Sequence, residues 1–402
     1  MTIIEIDKNK YNDYIISNKL NKNFLASSEW GDFLCTNNYS IPHYIALVDE
    51  QLKIQATTIL LENNKSNKNK YYYIPAGYNI DHNNIKLIEE MTKKIIKYCK
   101  SNKGIFIDIN SKIITKNINS KGKEIKVNTK YEEILNLLKQ LKFRKKKRIK
   151  INYTYEINLS KEINYSKDYL SKIDICKEYE PSIEIGKYED LDKLSNLNTI
   201  TKDNIDYYKS LYKIFNKDKY TKCTLFLGKL YFDKTLKALN TKLKRNTDQI
   251  SIIPIDHLTK SSKDRLDELK EKRKLITEQI NTIKDLQKEY KEEILLNAHL
   301  LIEYGDVVSL VYVGINDKVN DTNINELAYY EIINHYKNKC QVLDLYNYID
   351  EEQSKELNTN YIEYIGNYKY IINKPLYFLY KIIRKFRKDW LYGISWIKWK
   401  RV

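Results

Sequence analysis

The sequence predicts an α/β fold in which two similar units follow one another and a helical hairpin is inserted into the second. Short alternating apolar segments, typical of strands, are interleaved with amphipathic helical segments along the chain. The order of elements in residues 1–150 begins again after residue 151 and is interrupted by a seven-residue apolar repeat that includes Leu269, Ile276 and Ile283. The 402 residues are enough for two domains with separate cores.

The first unit is predicted to occupy residues 1–150. A short capped helix within 24–34 precedes three strands, and a helix, a fourth strand and another helix follow. The strands are expected at 44–48, 54–61, 71–74 and 105–109, and the later helices at 84–100 and 131–141. Strands and long amphipathic helices in this proportion predict a mixed α/β domain.

The second unit is predicted to occupy residues 151–231 and 297–376. It begins with a strand and two helical segments and continues after the insertion with strands around one further helix. The strands are expected at 153–159, 223–228, 298–304, 307–314, 342–346 and 361–372, and the helices at 166–176, 189–217 and 325–337. Because this order is similar to that of the first unit, the two units are expected to share one architecture.

The insertion, residues 232–296, is predicted to be an antiparallel helical hairpin that forms a coiled-coil arm. Leu236 and Leu243 mark a shorter helix that stops before Pro254, and the longer helix is expected over 261–296. The short connector favours pairing within the chain. Apolar positions that the shorter limb leaves uncovered could instead contact the globular domain or another protomer, so a homodimer or a heterodimer with a paralogue stays open.

The formal net charge of +17 suggests an anionic partner such as nucleic acid, lipid head groups or a phosphorylated substrate. Heavy use of Lys, Asn, Ile and Tyr, as expected of an A/T-rich genome, is the alternative explanation for the surface lysines. Seven of the nine residues 142–150 are basic. They predict either an anion-binding site or a solvated linker between the two units.

Several classes of protein are disfavoured by the sequence. Five scattered cysteines without a CxxC spacing argue against a zinc site or a disulfide framework and predict a reducing compartment; no metal site is predicted. The N-terminus has no signal-peptide pattern, and no uncharged apolar stretch approaches 18 residues in length. A cytoplasmic protein is therefore expected.

The C-terminal segment 377–402 combines many basic residues with aromatic ones, and it contains three of the four tryptophans of the chain. Such a segment suits the head-group region of an anionic membrane, so peripheral contact with the inner leaflet is predicted. The alternative is a terminal helix that packs back on the first domain.

Several short motifs resemble, in their order and spacing, those of one bacterial protein family. They are Ser27-Ser28-Glu29-Trp30-Gly31, Tyr73-Ile74-Pro75-Ala76-Gly77, Ile107-Asp108, the strand 153–160, Tyr312-Val313-Gly314-Ile315-Asn316, Tyr330-Glu331, Leu343-Asp344-Leu345-Tyr346 and Ile362-Glu363-Tyr364-Ile365-Gly366. Together with the hairpin they resemble the Fem-type (FemABX) aminoacyltransferases, which build the interpeptide bridge of peptidoglycan.

The resemblance implies two tandem GNAT-like (acyl-CoA N-acyltransferase-like) domains and the transfer of an amino acid from aminoacyl-tRNA to the stem peptide of a lipid-linked peptidoglycan precursor, without a cofactor. An amine attacks an activated ester in this reaction, so the protein must align the reactants, accept a proton and stabilise an oxyanion. The predicted site residues are, for catalysis, Asp108 and Tyr312 and, for substrate binding, Asn316, Asp344, Trp30, Lys146 and Arg148.

Departures from the family pattern keep two other functions open. Ala76 stands where the family has an arginine, and Leu34 stands where it has a lysine that binds substrate phosphate. A catalytically impaired partner or binding subunit of the family is the first alternative. A general RNA-binding protein, suggested by the net charge and the basic run, is the second.

Overall fold

A computed structural model describes residues 1–18, 20, 22–38, 40–63, 70–127, 130–146, 152–197, 204–254, 259–316 and 322–387. These residues form one continuous mixed sheet of thirteen strands. The strands are β1 Thr2–Glu5, β2 Ser40–Val48, β3 Ile54–Asn63, β4 Lys70–Ile74, β5 Gly104–Ile118, β6 Arg144–Lys145, β7 Tyr153–Asn158, β8 Ser182–Gly186, β9 Thr221–Tyr231, β10 Glu293–Tyr304, β11 Val307–Ile315, β12 Val342–Asp344 and β13 Asn360–Ile371.

Helices lie on both faces of the sheet. They are α1 Lys8–Ser17, α2 Ser28–Asn38, α3 Ile85–Ser101, α4 Tyr131–Gln140, α5 Lys167–Lys177, α6 Ile205–Phe215, α7 Phe232–Ser251, α8 Lys260–Tyr290, α9 Ile324–Tyr336, α10 Glu351–Glu356 and α11 Lys374–Arg387, with 3-10 turns at Phe24–Ala26 and Tyr188–Asn196. In the described part of the chain, none of the helices is long and apolar enough to span a bilayer.

The strand order is β1-β2-β3-β4-β5-β13-β7-β12-β11-β10-β9-β8, and β6 pairs with β13 off this path. Only two neighbouring pairs of these strands are parallel, β4 with β5 and β11 with β12. Each parallel pair is connected through a helix, α3 in the first half of the chain and α9 in the second. The two halves, before and after residue 151, therefore repeat one βαβ arrangement.

Strand β13 joins the halves although it comes from the end of the chain. Along one edge it pairs with β5, from Tyr361 opposite Ile118 to Ile371 opposite Phe106. Along the other edge it pairs with β7 and β6. The sheet is continuous because this strand is hydrogen-bonded to both halves.

Three groups of buried side chains pack against the sheet. Helices α3 and α4 cover one face of the first half. Helices α5, α7, α8 and α9 cover one face of the second half. The third group, called here the shared core, combines α1, α2, α6 and the 3-10 turn Tyr188–Asn196 with strands of both halves. Because both halves contribute to one core, they are packed as a single unit.

The inserted helices α7 and α8 run antiparallel. Asp233 accepts a hydrogen bond from Gln287, and Asn246 donates one to the Leu269 carbonyl, so the start of α7 lies beside the end of α8. The heptad residues Ile276 and Ile283 are buried in the core of the second half. The apolar stripe of α8 is therefore covered within the chain over this part of its length.

One helix boundary predicted from the sequence is wrong. The long helix was expected over 261–296, but α8 ends at Tyr290 and Lys291 has a left-handed φ of 67°. Ile294 and Leu296 are buried in β10, where Ile294 pairs with Leu230 of β9. Strand pairing in the sheet therefore determines the structure of Ile294 and Leu296, although Ile294 continues the apolar periodicity of the helix. The prediction also omits the short elements β1, α1, β6, β8 and α10.

Helix α11 packs against the first half of the sheet. The rings of Tyr377 and Tyr380 lie 5.3 and 5.1 Å from that of Phe106, and Tyr380 lies 5.6 Å from Tyr71. The remainder of the predicted membrane-binding segment, 388–402, lies outside the described residues.

Candidate functional site

One face of the central strands carries a row of polar side chains. Two sets are aligned by register, namely Tyr73, Asp108 and Lys369 on β4, β5 and β13, and Ser309, Asp344 and Glu156 on β11, β12 and β7. Aligned residues of neighbouring strands share a face. Leu61, beside Tyr73, and Ile302, beside Ser309, belong to the shared core. The polar row therefore lies on the face of the shared core, where the halves join.

The first part of this row is a basic cluster made of Asp108, Lys146 and Lys369. The Nζ atom of Lys146 lies 2.9 Å from Oδ2 of Asp108, and that of Lys369 lies 3.2 Å from Oδ1. Lys146 is held at the end of β6, where its backbone N–H donates to the Asn367 carbonyl. Lys369 also lies 3.9 Å from the centre of the Phe106 ring. Two ammonium groups share one carboxylate, so the cluster has a surplus positive charge.

The second part is an acidic cluster made of Lys112, Glu156 and Asp344. The Lys112 ammonium lies over the rings of Tyr364, at 4.6 Å, and Tyr346, at 5.3 Å. The carboxylate of Asp344 accepts hydrogen bonds from the Thr154 hydroxyl and the Tyr346 backbone N–H. The phenol of Tyr364 donates to Glu156 at 3.4 Å. Glu156 and Asp344 act electrostatically on the single ammonium of Lys112, so this cluster has more carboxyl groups than ammonium groups.

The electrostatics of the acidic cluster favour retention of a proton. Burial, together with the charge of Asp344, raises the pKa of Glu156 above its ordinary value. Burial also raises the pKa of Asp344 and lowers the pKa of Lys112. Glu156 and Lys112 are only half-buried. A ligand that enters from the solvent side can therefore reach Glu156 and Lys112, and its binding can change their protonation.

The two clusters lie on the same strand. Asp108 and Lys112 are four residues apart on β5, a separation of about 13 Å in an extended strand. The strand bulges just after Ser111, where three of its residues oppose two on β13. An extended substrate could reach both clusters along this strand.

A series of aromatic rings links the first half to the second beside the polar row. The rings run in the order Phe24, Trp30, Phe33, Tyr207, Tyr208 and Tyr312, and successive centroids are 5.5, 5.4, 4.9, 5.2 and 5.0 Å apart. Trp30 and Tyr312 are buried, at 7% and 3% exposure, whereas Tyr207 and Tyr208 are half-buried. The accessible phenols of this series therefore belong to α6.

The motif that contains Tyr312 has a local structural explanation. A Cβ atom at Gly314 would overlap the Tyr312 hydroxyl, so the absence of a side chain at 314 makes room for this phenol. Asn316 donates its side-chain N–H to the Leu295 carbonyl at 2.9 Å and its backbone N–H to the Leu296 carbonyl at 2.7 Å. These bonds fix the end of β11 against β10.

The structure brings some of the predicted site residues together and separates others. Asp108 and Lys146 form one ion pair, and Asp344 lies in the acidic cluster. Trp30 and Tyr312 are at separate points of the aromatic series, and Asn316 lies at the end of β11. Arg148 lies outside the described residues. The roles assigned to these residues stay predictions.

Two buried polar groups near the row lack a hydrogen-bond partner among the described residues. They are the indole N–H of Trp30 and the hydroxyl of Ser309, which is aligned with Asp344. A buried polar group of this kind costs free energy unless a ligand or water completes it. Within the same residues, no group of three or more potential metal ligands occurs.

Lys112, Glu156 and Lys369 are the site residues that the sequence reasoning missed. The signal for Lys112 was the alternation of polar residues Asp108, Asn110 and Lys112 within one strand, which places all three on one face. No local pattern marks Glu156 or Lys369. They join the site because β7 and β13 pair with strands distant in sequence.

Comparison with known proteins connects this arrangement to one family. The family model described as "FemAB family" matches residues 6–385. Among solved structures, FemX superimposes with a TM-score of 0.69 and 19% sequence identity, covering 94% of this chain and 99% of FemX. Comparison with curated protein sequences gave no match.

Weaker structural likenesses were also found. L-PGS from Bacillus licheniformis gives a TM-score of 0.44 with 8% identity over 95% of this chain and 97% of that protein. A GCN5-related N-acetyltransferase from Kribbella flavida gives 0.32 with 5% identity over 93% and 71%. The α/β fold class predicted from the sequence is confirmed by the likeness to FemX. Since the family model covers nearly the whole length, the chain belongs to the FemAB family.

Proposed function

We propose that the protein transfers an amino acid from aminoacyl-tRNA to an amine on the stem peptide of a lipid-linked peptidoglycan precursor. Membership of the FemAB family is the observation that carries this proposal. The amine nitrogen forms a bond to the ester carbonyl carbon, the bond from that carbon to the tRNA ribose oxygen breaks, and the ribose hydroxyl leaves with a proton. Neither an oxidant nor a covalent enzyme intermediate is required.

Glu156 is proposed to accept the proton of the attacking amine. Its raised pKa lies closer to neutrality than that of an exposed glutamate, which suits a group that must both accept and release a proton. The Lys112 ammonium is held over Tyr364 and Tyr346 and offsets the negative charge that Glu156 carries before it accepts the proton. Asp344, hydrogen-bonded to Thr154, is proposed to position Lys112.

Asp108, the catalytic candidate from the sequence, suits a different task. Both of its carboxylate oxygens lie within ion-pairing distance of a lysine. Its proposed role is to hold Lys146 and Lys369 in place, and those two ammonium groups bind phosphate or carboxylate groups of the substrates. The surplus positive charge of the basic cluster supports this assignment.

Tyr312, the second catalytic candidate from the sequence, is proposed to donate a hydrogen bond to the oxyanion or to the precursor. Its ring is 3% exposed and lies 5.0 Å from that of Tyr208. Tyr208 is half-buried and is therefore a second phenol available to a ligand in the same place. Trp30, with its unpaired indole N–H, is proposed to complete the wall of the binding site.

A reconstituted transfer reaction tests the proposal. The full-length protein would be incubated with lipid-linked precursor and a mixture of charged tRNAs, and the precursor would be analysed by mass spectrometry. A mass increase of one amino-acid residue that depends on charged tRNA is expected. No increase with any aminoacyl-tRNA, either alone or together with a paralogue, would favour the alternative of a binding or partner subunit.

A further inference from the structure

The outer side of α11 exposes a continuous apolar surface. Phe378 is 67% exposed, Leu379 46%, Ile382 36% and Ile383 37%. Four large apolar side chains in one 14-residue helix form a patch rather than the isolated contacts common on protein surfaces. We call these four residues the α11 patch.

The α11 patch lies away from the ring contacts that anchor the helix on the protein. Tyr377 and Tyr380 make the ring contacts with Phe106, so they define the inner side of the helix. At about 100° per residue, Phe378 and Ile382 lie together on the opposite side. The helix is thus anchored through one side and presents a second apolar side to the surroundings.

Charge identifies the kind of surface that would cover this patch. Residues 374–387 contain five basic residues and no acidic one. Lys374 and Lys381 are exposed, and the Lys381 ammonium lies 5.0 Å from the centre of the Tyr377 ring, beside the patch. Apolar side chains flanked by lysines match a bilayer with anionic head groups, because the hydrocarbon stems enter the interface and the ammonium groups meet the phosphates.

Two other occupants fit less well because they carry the same charge. A second copy of the chain would place one basic helix against another. The following segment, 388–402, has four basic residues and one acidic residue, so folding it back over the patch would also bring like charges together. That segment contains Trp390, Trp396 and Trp399, residue types that favour the membrane interface.

We propose that the α11 patch docks the protein on the surface of an anionic lipid bilayer. The inner side of the same helix contacts Phe106, and Phe106 lies under the Lys369 ammonium of the basic cluster. Docking through α11 therefore places the basic cluster close to the plane of the head groups. The proposal goes beyond aminoacyl transfer and holds or fails independently of it, because docking needs neither substrate.

The test measures binding of the full-length protein to sedimented vesicles in the absence of substrates. Vesicles of phosphatidylglycerol mixed with phosphatidylcholine would be compared with vesicles of phosphatidylcholine alone. Wild type is expected to bind the anionic vesicles and to dissociate as salt is added. The double substitution Phe378→Glu/Ile382→Glu is expected to weaken binding at least about tenfold, since it adds two negative charges and removes apolar contact.

The control is Ile252→Glu, which adds one negative charge at another exposed isoleucine, 78% accessible at the end of α7. It should change vesicle binding less than about twofold. Equal binding by wild type and by the α11 variant, or equal binding to neutral and anionic vesicles, would overturn the proposal. Two further results would also overturn the proposal. One is a wild-type dimer that becomes a monomer in the α11 variant without loss of vesicle binding. The other is tighter vesicle binding after deletion of 388–402. Circular dichroism melting curves verify that each variant is folded.

Discussion

The basic cluster and the acidic cluster lie on one strand, β5, and use the same residue types in opposite proportion. In the basic cluster the carboxylate of Asp108 is paired with Lys146 and Lys369. In the acidic cluster the charges of Glu156 and Asp344 act on the ammonium of Lys112. The first cluster can neutralise an added anion, whereas the second lowers its own repulsion by binding a proton. Under the proposed function, β5 would carry substrate binding at one cluster and proton transfer at the other.

The substitution Glu156→Gln is expected to give the largest effect. It removes the proposed proton acceptor but keeps the shape of the side chain, so the turnover number should fall by about 10²- to 10⁴-fold while KM changes little. The measurement is the initial rate of transfer to the lipid-linked precursor.

The matched control for this variant is Glu363→Gln, on the adjacent strand β13 but on the opposite face of the sheet. It should leave the turnover number within about threefold of wild type. Equal losses in the two variants would mean that the acidic cluster has no special role in the chemistry.

The substitution Lys369→Met tests the basic cluster and should act on binding. Loss of one of the two ammonium groups should raise the KM of the anionic substrate about tenfold or more and leave the turnover number nearly unchanged. Steady-state kinetics with the precursor and with aminoacyl-tRNA varied in turn would show which substrate is affected.

Lys116→Met, at an exposed position on the same strand β5, provides the comparison for Lys369→Met. It should leave both KM values unchanged. If Lys369→Met lowers the turnover number without changing KM, the basic cluster does not act in substrate binding alone, and the separate roles proposed for the two clusters are wrong.

The stability of the fold should depend on pH in a way that identifies the acidic cluster. Because the pKa of Glu156 is raised on folding, the folded state binds the proton more tightly than the unfolded state, and the free energy of unfolding should decrease as pH rises from 5 towards 8. In Glu156→Gln this decrease should be smaller, so the variant should gain stability relative to wild type over the same range. Urea unfolding at several pH values measures the difference. If the free energy of unfolding changes with pH in the same way in both proteins, folding does not raise the pKa of Glu156.

The smallest effect is expected from Tyr364→Phe. The Tyr364 phenol donates a hydrogen bond to Glu156 and thereby lowers the pKa of that carboxyl group. Removing the hydroxyl should raise this pKa, so the acidic limb of the pH–rate profile should move to higher pH by less than about one unit. Movement of this limb to lower pH would mean that the Tyr364 hydroxyl does not lower the pKa of Glu156.

The sequence predicts the architecture of this protein better than its site. Strands and helices with clear periodicity, such as α3 and β11, were located nearly at their observed bounds. Asp108 was found through a family motif and Lys146 through the basic run, and the two meet in one ion pair. Glu156 was not found, because its environment is made by residues from β5, β12 and β13 that only strand pairing brings together.

The position of β13 has a consequence for how the chain is made. During translation the ribosome would release residues 360–371 only after both halves have emerged, and until then β5 and β7 have no neighbour on their inner edges. Unpaired strand edges promote aggregation, so the nascent chain would depend on rapid capture of its last strand. A chain that stops upstream of this strand would thus carry an unpaired strand edge in the first half as well as in the second.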